Sequence, residues 1–501
     1  MKLTEDTLRN LYAKMISQAE KSERKGNIDN ANRYLTAASN LSYIFYLSYR
    51  DEKADYLLRK ISQRITPTGN YKKSSNTFRC VFLDSSSVFN GGLTIQYMRA
   101  IETAGWDVLY LSSQNMDSAK ERDLREIILS NPKVKIASIP HSLKGKKRLQ
   151  YMYDTIVNFN PTNVFIHMSP FAPYFAEVCY ALPKEITKYL IDYTDHSFLL
   201  GADCADYILE FRDKGAYTAS RYRGVREDQI ILLPYYPNLF VSEYKGLPEG
   251  CKGKKIVLSG GNYWKIMDEN GTFFKMSKAI LDANPEAVIV YAGMGQEEPV
   301  RELVNKFGIE DRFYFLGWRK DINELFERAD LYLSTFPAFG GLMGIYAGIK
   351  SKPILALKSP NNGNNAETTI CILDHYQISK ESIEEVVDES VRILHNPDYA
   401  REVGERIHKC CVSREWFDEQ FKKIVGTPHN YVHQVKQVDC EISKRSIENA
   451  IVYNEKSGIW KKGLSRYLGW LVIYIKPSLF IDAIYMKVKN AINVIKNDIK
   501  K

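Results

Sequence analysis

The sequence predicts an α/β protein built from two doubly wound domains, with a helical segment before them and a helical tail after them. Three observations support this prediction. The chain of 501 residues is too long for one hydrophobic core. Two runs of short apolar segments alternate with amphipathic ones, as in βαβ units with parallel strands. Residues 234–254, which hold three prolines and three glycines, separate the two runs as a linker.

Composition describes a globular chain with 45% hydrophobic and 26% charged residues, which argues against disorder. No run of roughly 18 apolar residues occurs, and the amino terminus lacks the pattern of a secretory signal. The eight cysteines form neither a CxxC pair nor a zinc-ligand pattern. We therefore expect a cytoplasmic protein with reduced cysteines and no bound metal.

The predicted helical segment covers residues 1–70. It has no proline before Pro67, and its apolar residues recur at helical spacing. Breaks at Gly26-Asn27 and at Tyr49-Arg50-Asp51 predict three helices. This segment either caps the following domain, which we favour, or docks a partner.

Residues 71–236 form the first predicted domain. Seven apolar segments within it are expected to be strands, at residues 78–84, 107–112, 134–139, 163–168, 187–193, 207–211 and 230–233.

Residues 237–428 form the second predicted domain, again with alternating strands and helices. Its strands are expected at 255–259, 287–292, 313–316, 330–334, 353–357 and 369–373, and its last helices at 379–395, 398–408 and 414–424. Ligands of such domains lie beyond the carboxyl ends of the strands, so that the two domains would form a cleft.

Glycines follow four of the predicted strands and precede predicted helices, a context in which backbone N–H groups can face phosphate. A single glycine of this kind usually marks only a tight turn. Lys265 follows one of the four sites and can neutralise phosphate charge. The four sites are Asn90-Gly91-Gly92, Ser259-Gly260-Gly261-Asn262, Gly293-Met294-Gly295 and Phe339-Gly340-Gly341.

The order of these motifs resembles that of retaining, glycogen-synthase-like GT-B glycosyltransferases. The segments that carry the resemblance are SVFNGGLTIQYMRAIETAGWDVLYLS, KIVLSGGNYWK, VIVYAGMGQEEPVRELVNKFGIEDRFYFLGWRKDINELFERADLYLSTFP and GGLMGIYAGIKSKPILAL, within residues 78–425. The resemblance implies two Rossmann-like domains, of which the first takes the acceptor and the second a nucleotide sugar.

The resemblance also implies roles for individual residues. Gly260, Gly261, Lys265 and Gly293 would lie on the donor side near the diphosphate, and Trp318 and Arg319 near the base. Gly340, Gly341 and Tyr346 would lie near the sugar and phosphates. Asn90, Gly91 and Gly92 would belong to the acceptor or phosphate side, and the helix with Trp416 and Phe417 would cross back onto the first domain.

This chain departs from the family motif at its two glutamates, whose positions fall on Ala338 and Tyr346. Asn262 also stands where the family commonly has an arginine. The chain then either belongs to a divergent branch of the family that holds the donor through Gly340-Gly341, which we favour, or no longer catalyses the reaction.

His196 follows a predicted strand and lies at the mouth of the expected cleft. Its neutral imidazole could bind a sugar hydroxyl or take the acceptor proton, with Asp195 or Asp192 orienting it. We therefore name His196 as the candidate catalytic residue; the alternative is a structural histidine of the loop. His167 ends another strand; it is either a packed histidine or an acceptor-side residue.

Residues 429–501 form the predicted tail, in which the stretch 458–501 has nine Lys or Arg and two Asp. This stretch therefore carries +7 of the net charge of +9. Its tryptophans and tyrosines beside basic residues predict either a helix in the headgroup layer of an anionic membrane or packing on the body of the protein.

These patterns together predict a cytoplasmic glycosyltransferase, peripheral on the inner face of the membrane. It would use a nucleotide sugar and no other cofactor, act on a glycan or lipid-linked acceptor in envelope or exopolysaccharide synthesis, and bind no nucleic acid. The alternative is a non-catalytic GT-B protein that serves as a partner or chaperone in a glycosylation complex. A GT-B sugar-nucleotide epimerase ranks third.

Overall fold

The structure, a computed structural model, describes residues 3–68, 71, 79–85, 93–238, 242–359, 365–370, 372–373, 377–438 and 440–475. The predicted site Asn90-Gly91-Gly92 and the tail beyond residue 475 lie outside these ranges.

Three helices open the chain, as predicted: α1 (Glu5–Arg24), α2 (Ile28–Phe45) and α3 (Glu52–Ser62). Side chains at both breaks cap the helices that follow. The Asn27 side chain accepts from the Asn30 backbone N–H, and the Asp51 side chain accepts from that of Ala54. These bonds satisfy donors that the first turn of a helix leaves unpaired, which explains why the helices begin there.

The first domain contains a seven-stranded parallel sheet with the strand order β3-β2-β1-β4-β5-β6-β7. Its strands are β1 (Arg79–Asp84), β2 (Asp107–Ser112), β3 (Val134–Ser138), β4 (Asn163–His167), β5 (Thr187–Ile191), β6 (Tyr207–Glu210) and β7 (Ile230–Leu232). Its helices are α4 (Leu93–Ala104), α5 (Arg122–Leu129), α6 (Gly145–Phe159), α7 (Pro173–Ala181) and α8 (Asp213–Arg223).

The second domain contains a six-stranded parallel sheet with the order β10-β9-β8-β11-β12-β13. Its strands are β8 (Lys255–Asn262), β9 (Ala287–Met294), β10 (Phe313–Phe315), β11 (Leu331–Leu333), β12 (Ile354–Leu357) and β13 (Ser379–Lys380). Its helices are α9 (Thr272–Ala283), α10 (Glu298–Lys306), α11 (Ile322–Arg328), α12 (Gly341–Ile349), α13 (Ala366–Thr369), α14 (Ile383–His395), α15 (Pro397–Cys410) and α16 (Arg414–Gly426).

The strand predicted at 369–373 is wrong. Residues Ala366–Thr369 form the short helix α13, and the sixth strand is Ser379–Lys380. The carboxylate of Glu367 accepts hydrogen bonds from the backbone N–H groups of Ile378 and Ser379 at 2.6 Å. Helix α13 therefore holds the start of β13. This sixth strand lies later in the chain than the apolar run 369–373, where it was expected.

Opposite faces of the first sheet pack against different parts of the chain. Val81 and Leu83 of β1 share a core with the three amino-terminal helices, whereas Cys80 and Phe82 share a core that extends into the second domain. Helix α16 crosses back onto the first domain, as predicted, where Phe417 meets the ring of Tyr97 edge to face. The domains are thus joined through packed apolar side chains as well as through the linker.

Two helices of the tail, α17 (Lys444–Ser457) and α18 (Ile459–Leu468), pack on the amino-terminal helices, and a short 3₁₀ helix, Gly469–Tyr474, follows. Arg33 of α2 donates to the backbone carbonyl of Tyr467 at 3.0 Å. Among the residues that the structure describes, no helix has the length and apolar character needed to cross a membrane.

Candidate active site

Segments that follow strands of both sheets meet at the boundary between the two domains. On the first-domain side, the segment after β5 carries Asp192, Asp195 and His196, and the segment after β6 carries Arg212 and Lys214. On the second-domain side lie Lys265, after β8, and the amino terminus of α12. Parallel strands present their carboxyl ends at one edge of a sheet, which is why residues so distant in sequence meet here.

Arg212 links the two sides of the cleft. Its guanidinium donates two hydrogen bonds of 2.6 Å to the two carboxylate oxygens of Asp195, and a third to the backbone carbonyl of Thr369 in the second domain. Burial opposes ionisation of Asp195, but Arg212 and His196 together hold its pKa well below the usual range. Asp195 is therefore a carboxylate at neutral pH, and Arg212 is held at the domain boundary.

Lys214 and Lys265 bring two further cations to the same place. Burial, followed by the charge of Arg212, lowers the pKa of Lys214 to about 8. Burial, Arg212 and Lys214 lower the pKa of Lys265, likewise to about 8. We call Arg212, Lys214 and Lys265 the cation cluster; it draws residues from both domains and would be stabilised by an anion.

Helix α12 adds its amino terminus to the cation cluster. Gly340 caps this nine-residue helix and Gly341 opens it, as predicted. A Cβ atom at Gly341 would lie 2.8 Å from the Thr369 carbonyl oxygen and 3.3 Å from Nη1 of Arg212. Only glycine therefore allows the helix to begin so close to the guanidinium, and the N–H groups of its first turn add partial positive charge.

The other two glycine sites of the second domain differ from the prediction. Gly260 and Gly261 lie inside β8 and Gly293 lies inside β9, so none of them opens a helix. Gly261 pairs with Gly293 in the parallel register, and a Cβ at Gly260 or Gly293 would meet the neighbouring strand's backbone. These glycines allow two strand ends to run close together.

Lys265 occupies the position that the sequence predicted, directly after β8 and beside the α12 turn. Its ammonium group lies 3.4 Å from the Phe339 carbonyl oxygen. Lys265 is therefore placed on the residue that precedes the Gly340-Gly341 turn.

His196 lies on the first-domain side of the cluster with one third of its side chain exposed. Its Nδ1 is 3.6 Å from an oxygen of Asp195, and its Nε2 is 3.4 Å from the hydroxyl of Tyr43 in α2. Burial lowers the pKa of His196, and Asp195 only partly opposes this effect. The imidazole is therefore neutral at pH 7 and can accept a proton.

Asp192 forms a buried ion pair beneath the cation cluster. It pairs with Arg223, a fully buried residue, and accepts a 2.8 Å hydrogen bond from the Thr194 backbone. Burial, then the charge of Asp192, raises the pKa of the neighbouring Glu210 well above its usual value, so Glu210 is a neutral acid. Within the described residues, no group of three His, Cys, Asp or Glu side chains could hold a metal ion.

His167 is packed within the core rather than placed in the cleft. It is 2% exposed, its Nδ1 lies 3.2 Å from Asp84, and its ring packs against Tyr193. Of the two interpretations given for His167, the structure therefore supports the packed histidine.

Three further residues assigned to the donor side have different surroundings. The Tyr346 hydroxyl donates to the Asn238 carbonyl in the linker at 3.2 Å, and the Arg319 guanidinium pairs with Asp321 and donates to the Gly246 carbonyl. Both side chains thus hold the linker to the second domain. Trp318, in contrast, is 49% exposed just beyond β10 and could still meet a base.

Sequence reasoning missed Arg212, Lys214, Tyr43 and Tyr453. Arg212 and Lys214 follow the predicted strand 207–211, and that position is the one signal that could have identified them. Tyr43 and Tyr453 belong to helices outside the two domains. Tyr43 contacts His196, and a Cβ at Gly295, beyond β9, would lie 3.4 Å from the Tyr453 hydroxyl. No local pattern in the sequence shows such contacts.

Comparison with known proteins supports the fold. No protein-family model matches the chain, and no curated protein matches it. Among solved structures, TarM aligns with a TM-score of 0.52 and 9% identity, over 70% of this chain and 99% of that chain. HepE from Anabaena, in complex with UDP-glucose, aligns with a TM-score of 0.51 and 12% identity over 70% of this chain and 99% of that chain.

A putative UDP-N-acetylglucosamine 2-epimerase from Listeria monocytogenes aligns with a TM-score of 0.50 and 10% identity, covering 72% of this chain and 99% of that chain. With two parallel-sheet domains and these structural neighbours, the chain has the GT-B fold.

Proposed function

We propose that the protein is a glycosyltransferase that moves a sugar from a nucleotide-diphosphate donor to a glycan or lipid-linked acceptor. The cation cluster at the amino terminus of α12 is the observation that carries this proposal. It supports a site for a polyanion between the domains, which is where a GT-B protein would hold the diphosphate of its donor.

The charges favour a diphosphate over a singly charged ligand. Among the residues that the structure describes, three basic side chains and a helix amino terminus meet beside the carboxylate of Asp195, which Arg212 already pairs. Asp192 is paired with Arg223, and Glu210 is neutral. The excess of positive charge therefore remains for a ligand with two or more negative charges.

These residues suit the departure of a nucleoside diphosphate. The bond between the sugar C1 and the diphosphate oxygen breaks, and a new bond forms between C1 and the acceptor oxygen. Negative charge builds on the leaving diphosphate as C1 becomes cation-like, and Lys265 with the α12 N–H groups would stabilise it. Neutral His196 would accept the acceptor's proton or bind its hydroxyl. The proposal needs no metal, because the cations neutralise the diphosphate.

The comparisons agree with a UDP-sugar as the donor class. HepE was solved in complex with UDP-glucose, and the neighbour from Listeria carries the name of a UDP-N-acetylglucosamine 2-epimerase. Trp318 and Met294, which are 49% and 47% exposed near the carboxyl ends of β10 and β9, offer apolar surface for a base. We place the donor nucleotide on this side of the cleft.

We further propose that the protein works at the inner face of a membrane, in the synthesis of an envelope or exopolysaccharide. The described part of the tail supports both interpretations of the sequence, because some of its apolar residues pack on the protein and others are exposed. Trp460, Leu464 and Leu468 are buried on the helical segment, but Trp470, Ile473 and Tyr474 are exposed beside Arg466. The exposed group suits the headgroup layer of an anionic membrane.

A non-catalytic GT-B protein is the second candidate. It is favoured by Ala338 and Tyr346, which replace the two family glutamates, and by the Tyr346 hydroxyl, which bonds to the linker. The cation cluster would then bind a nucleotide without turnover.

The experiment that separates the candidates is a thermal-shift screen with UDP-, GDP- and ADP-sugars, followed by an assay of donor hydrolysis. Stabilisation by one nucleotide that is lost in Lys265→Ala, together with release of the sugar, supports the transferase. Stabilisation without release supports the non-catalytic protein. If no nucleotide sugar stabilises the chain, the donor site is refuted.

A further inference from the structure

Four partly buried aromatic rings lie in a row that begins at His196. The centroid of His196 is 5.8 Å from that of Tyr43, Tyr43 is 6.0 Å from Phe171, and Phe171 is 5.9 Å from Tyr467. We call these four residues the aromatic track. It starts beside Asp195 and the cation cluster and ends on helix α18.

The residues of the track come from three separate parts of the chain. Tyr43 belongs to α2 of the amino-terminal helical segment, and Tyr467 belongs to α18 of the tail. Phe171 and His196 follow strands β4 and β5 of the first domain. Helices of the amino-terminal segment and of the tail therefore build one wall beside the candidate catalytic residue.

The rings of the track are more exposed than the rings of the protein core. Tyr43 and Tyr467 pack against the core that the first sheet shares with the amino-terminal helices, but all four members of the track are only partly buried, whereas core rings such as Phe45, Phe82 and Phe165 are fully buried. Neighbouring rings of the track are inclined by 55–70°, so they meet at an angle and are not stacked in parallel. Partly exposed ring faces are surfaces on which the C–H faces of sugar rings pack.

Two exposed aromatic residues follow Tyr467 in the sequence. Trp470 and Tyr474 lie on the following 3₁₀ helix, are 54% and 58% exposed, and meet edge to face at 5.9 Å. The track itself covers three ring-to-ring steps of 5.8, 6.0 and 5.9 Å from the candidate proton acceptor, a length that suits more than one sugar unit.

We propose that the aromatic track binds the sugar units of an oligosaccharide acceptor, with the terminal sugar's hydroxyl group at His196. This inference rests on the proposed function, and it specifies the acceptor as a glycan chain held by rings from both chain ends. The track fixes where the chain lies, and His196 receives the proton of the hydroxyl that is glycosylated.

The test compares variants that keep apolar volume with one that keeps the ring. Phe171→Leu and Tyr467→Leu remove a ring, Tyr467→Phe retains it, and Tyr56→Leu changes an exposed tyrosine of α3 as a control. The full-length proteins are applied to an array of oligosaccharides from bacterial capsules and lipopolysaccharides. Binding of the glycans recognised by the unchanged protein should weaken by roughly three- to tenfold in each Leu variant and persist in the other two.

Thermal shift by UDP-glucose in the same variants separates this inference from the proposed function. An unchanged nucleotide shift with lost glycan binding supports the track. The inference is refuted if no oligosaccharide is bound, if the Leu variants bind like the unchanged protein, or if Tyr467→Phe loses binding as Tyr467→Leu does. If UDP-glucose gives no shift in any protein, the proposed function fails irrespective of the glycan result.

Discussion

The guanidinium of Arg212 in the first domain donates a hydrogen bond to the backbone carbonyl of Thr369 in the second, while it also pairs with Asp195. One side chain therefore connects the β6–α8 segment with helix α13, next to the Gly341 end of α12. Movement of the two domains must break or reorganise this bond, so Arg212 couples the geometry of the cleft to the anion site.

Arg212→Lys should retain a positive charge but lose the fork that spans Asp195 and Thr369. We expect nucleotide affinity to fall by about tenfold, because one ammonium group cannot reproduce these three bonds. Arg212→Ala should also destabilise the fold by about 3 kcal/mol, since it leaves the Asp195 carboxylate buried without its partner. Calorimetric titration with UDP-glucose and chemical unfolding measure the two effects.

Arg221→Ala is the matched control for Arg212, because this exposed arginine lies on α8, the helix that Arg212 directly precedes. It should change neither quantity. If Arg212→Lys binds the nucleotide as tightly as the unchanged protein, Arg212 is not part of the anion site.

The pH dependence of nucleotide binding should report the lysines of the cluster. Both Lys214 and Lys265 have a pKa lowered to about 8, so above that pH each is neutral in the free protein and must take up a proton to meet the diphosphate. Affinity should therefore be constant below about pH 7 and fall above about pH 8, by up to tenfold per pH unit for each lysine.

Titration calorimetry in buffers of different ionisation enthalpy measures this proton uptake. Lys265→Ala should weaken binding and remove part of the slope, whereas Lys275→Ala, which changes an exposed lysine of α9, should preserve it. An affinity that stays constant between about pH 7 and about pH 10 would contradict the role of the cluster.

Gly341→Ala should reduce donor affinity through a steric effect. The added Cβ would lie 2.8 Å from the Thr369 oxygen and 3.3 Å from Arg212, so helix α13 or the guanidinium must shift. We expect a rise in the donor KM of roughly tenfold with little change in folding far from the site. Gly426→Ala, at the end of α16, meets nothing within 4 Å and is the control that tests for a general effect of removing a glycine.

The folding stability should depend on Glu177, which joins the helical segment to the first domain. Its carboxyl group is fully buried in α7 and accepts a 2.8 Å hydrogen bond from Asn32 of α2. Burial raises its pKa to about 8, so the folded state favours the protonated acid. The protonated carboxyl group stabilises the fold. Its contribution is complete below the pKa of Glu in the unfolded chain, about 4.3, and is lost as the pH rises through about 8.

The free energy of unfolding should thus fall by up to about 1.4 kcal/mol per pH unit between about pH 5 and about pH 8 from this group. Glu177→Gln keeps a polar group for Asn32 and cannot ionise, so its unfolding curve should lack this fall. Urea unfolding at several pH values measures the difference. Equal slopes in the two proteins would show that Glu177 is not a buried acid.

Local sequence signals predicted much of the fold, because helix caps and strand periodicity are local properties. Asn27 and Asp51 precede α2 and α3, where their side chains cap the first turn. Twelve of the thirteen strands lie at predicted apolar runs. The run 369–373 misled the prediction because Ile370 is buried without belonging to a strand. A short apolar run reports burial and not backbone conformation.

The candidate site was less predictable, because its contacts join distant segments. Gly340, Gly341 and Lys265 were identified from turns that follow strands. Arg212 was not, since nothing near it in the sequence shows that it meets Thr369 in the other domain. The glycines of β8 and β9 were assigned to phosphate contacts, although they serve the close approach of two strands. A glycine in the sequence can indicate close backbone approach, but it does not show which segment approaches.

Membrane binding by the tail should depend on the exposed aromatic residues of the 3₁₀ helix. Trp470 and Tyr474 are more than half exposed, while Trp460, Leu468 and Leu471 of the same region are buried on the helical segment, so replacing the first two should leave the fold intact. The full-length protein should sediment with vesicles that contain phosphatidylserine and much less with neutral phosphatidylcholine vesicles. Trp470→Ala combined with Tyr474→Ala should weaken this binding by at least about tenfold, because two interfacial rings are lost. Tyr56→Ala removes an equally exposed ring on α3 and should have no effect; equal sedimentation of all three proteins would locate any membrane contact elsewhere.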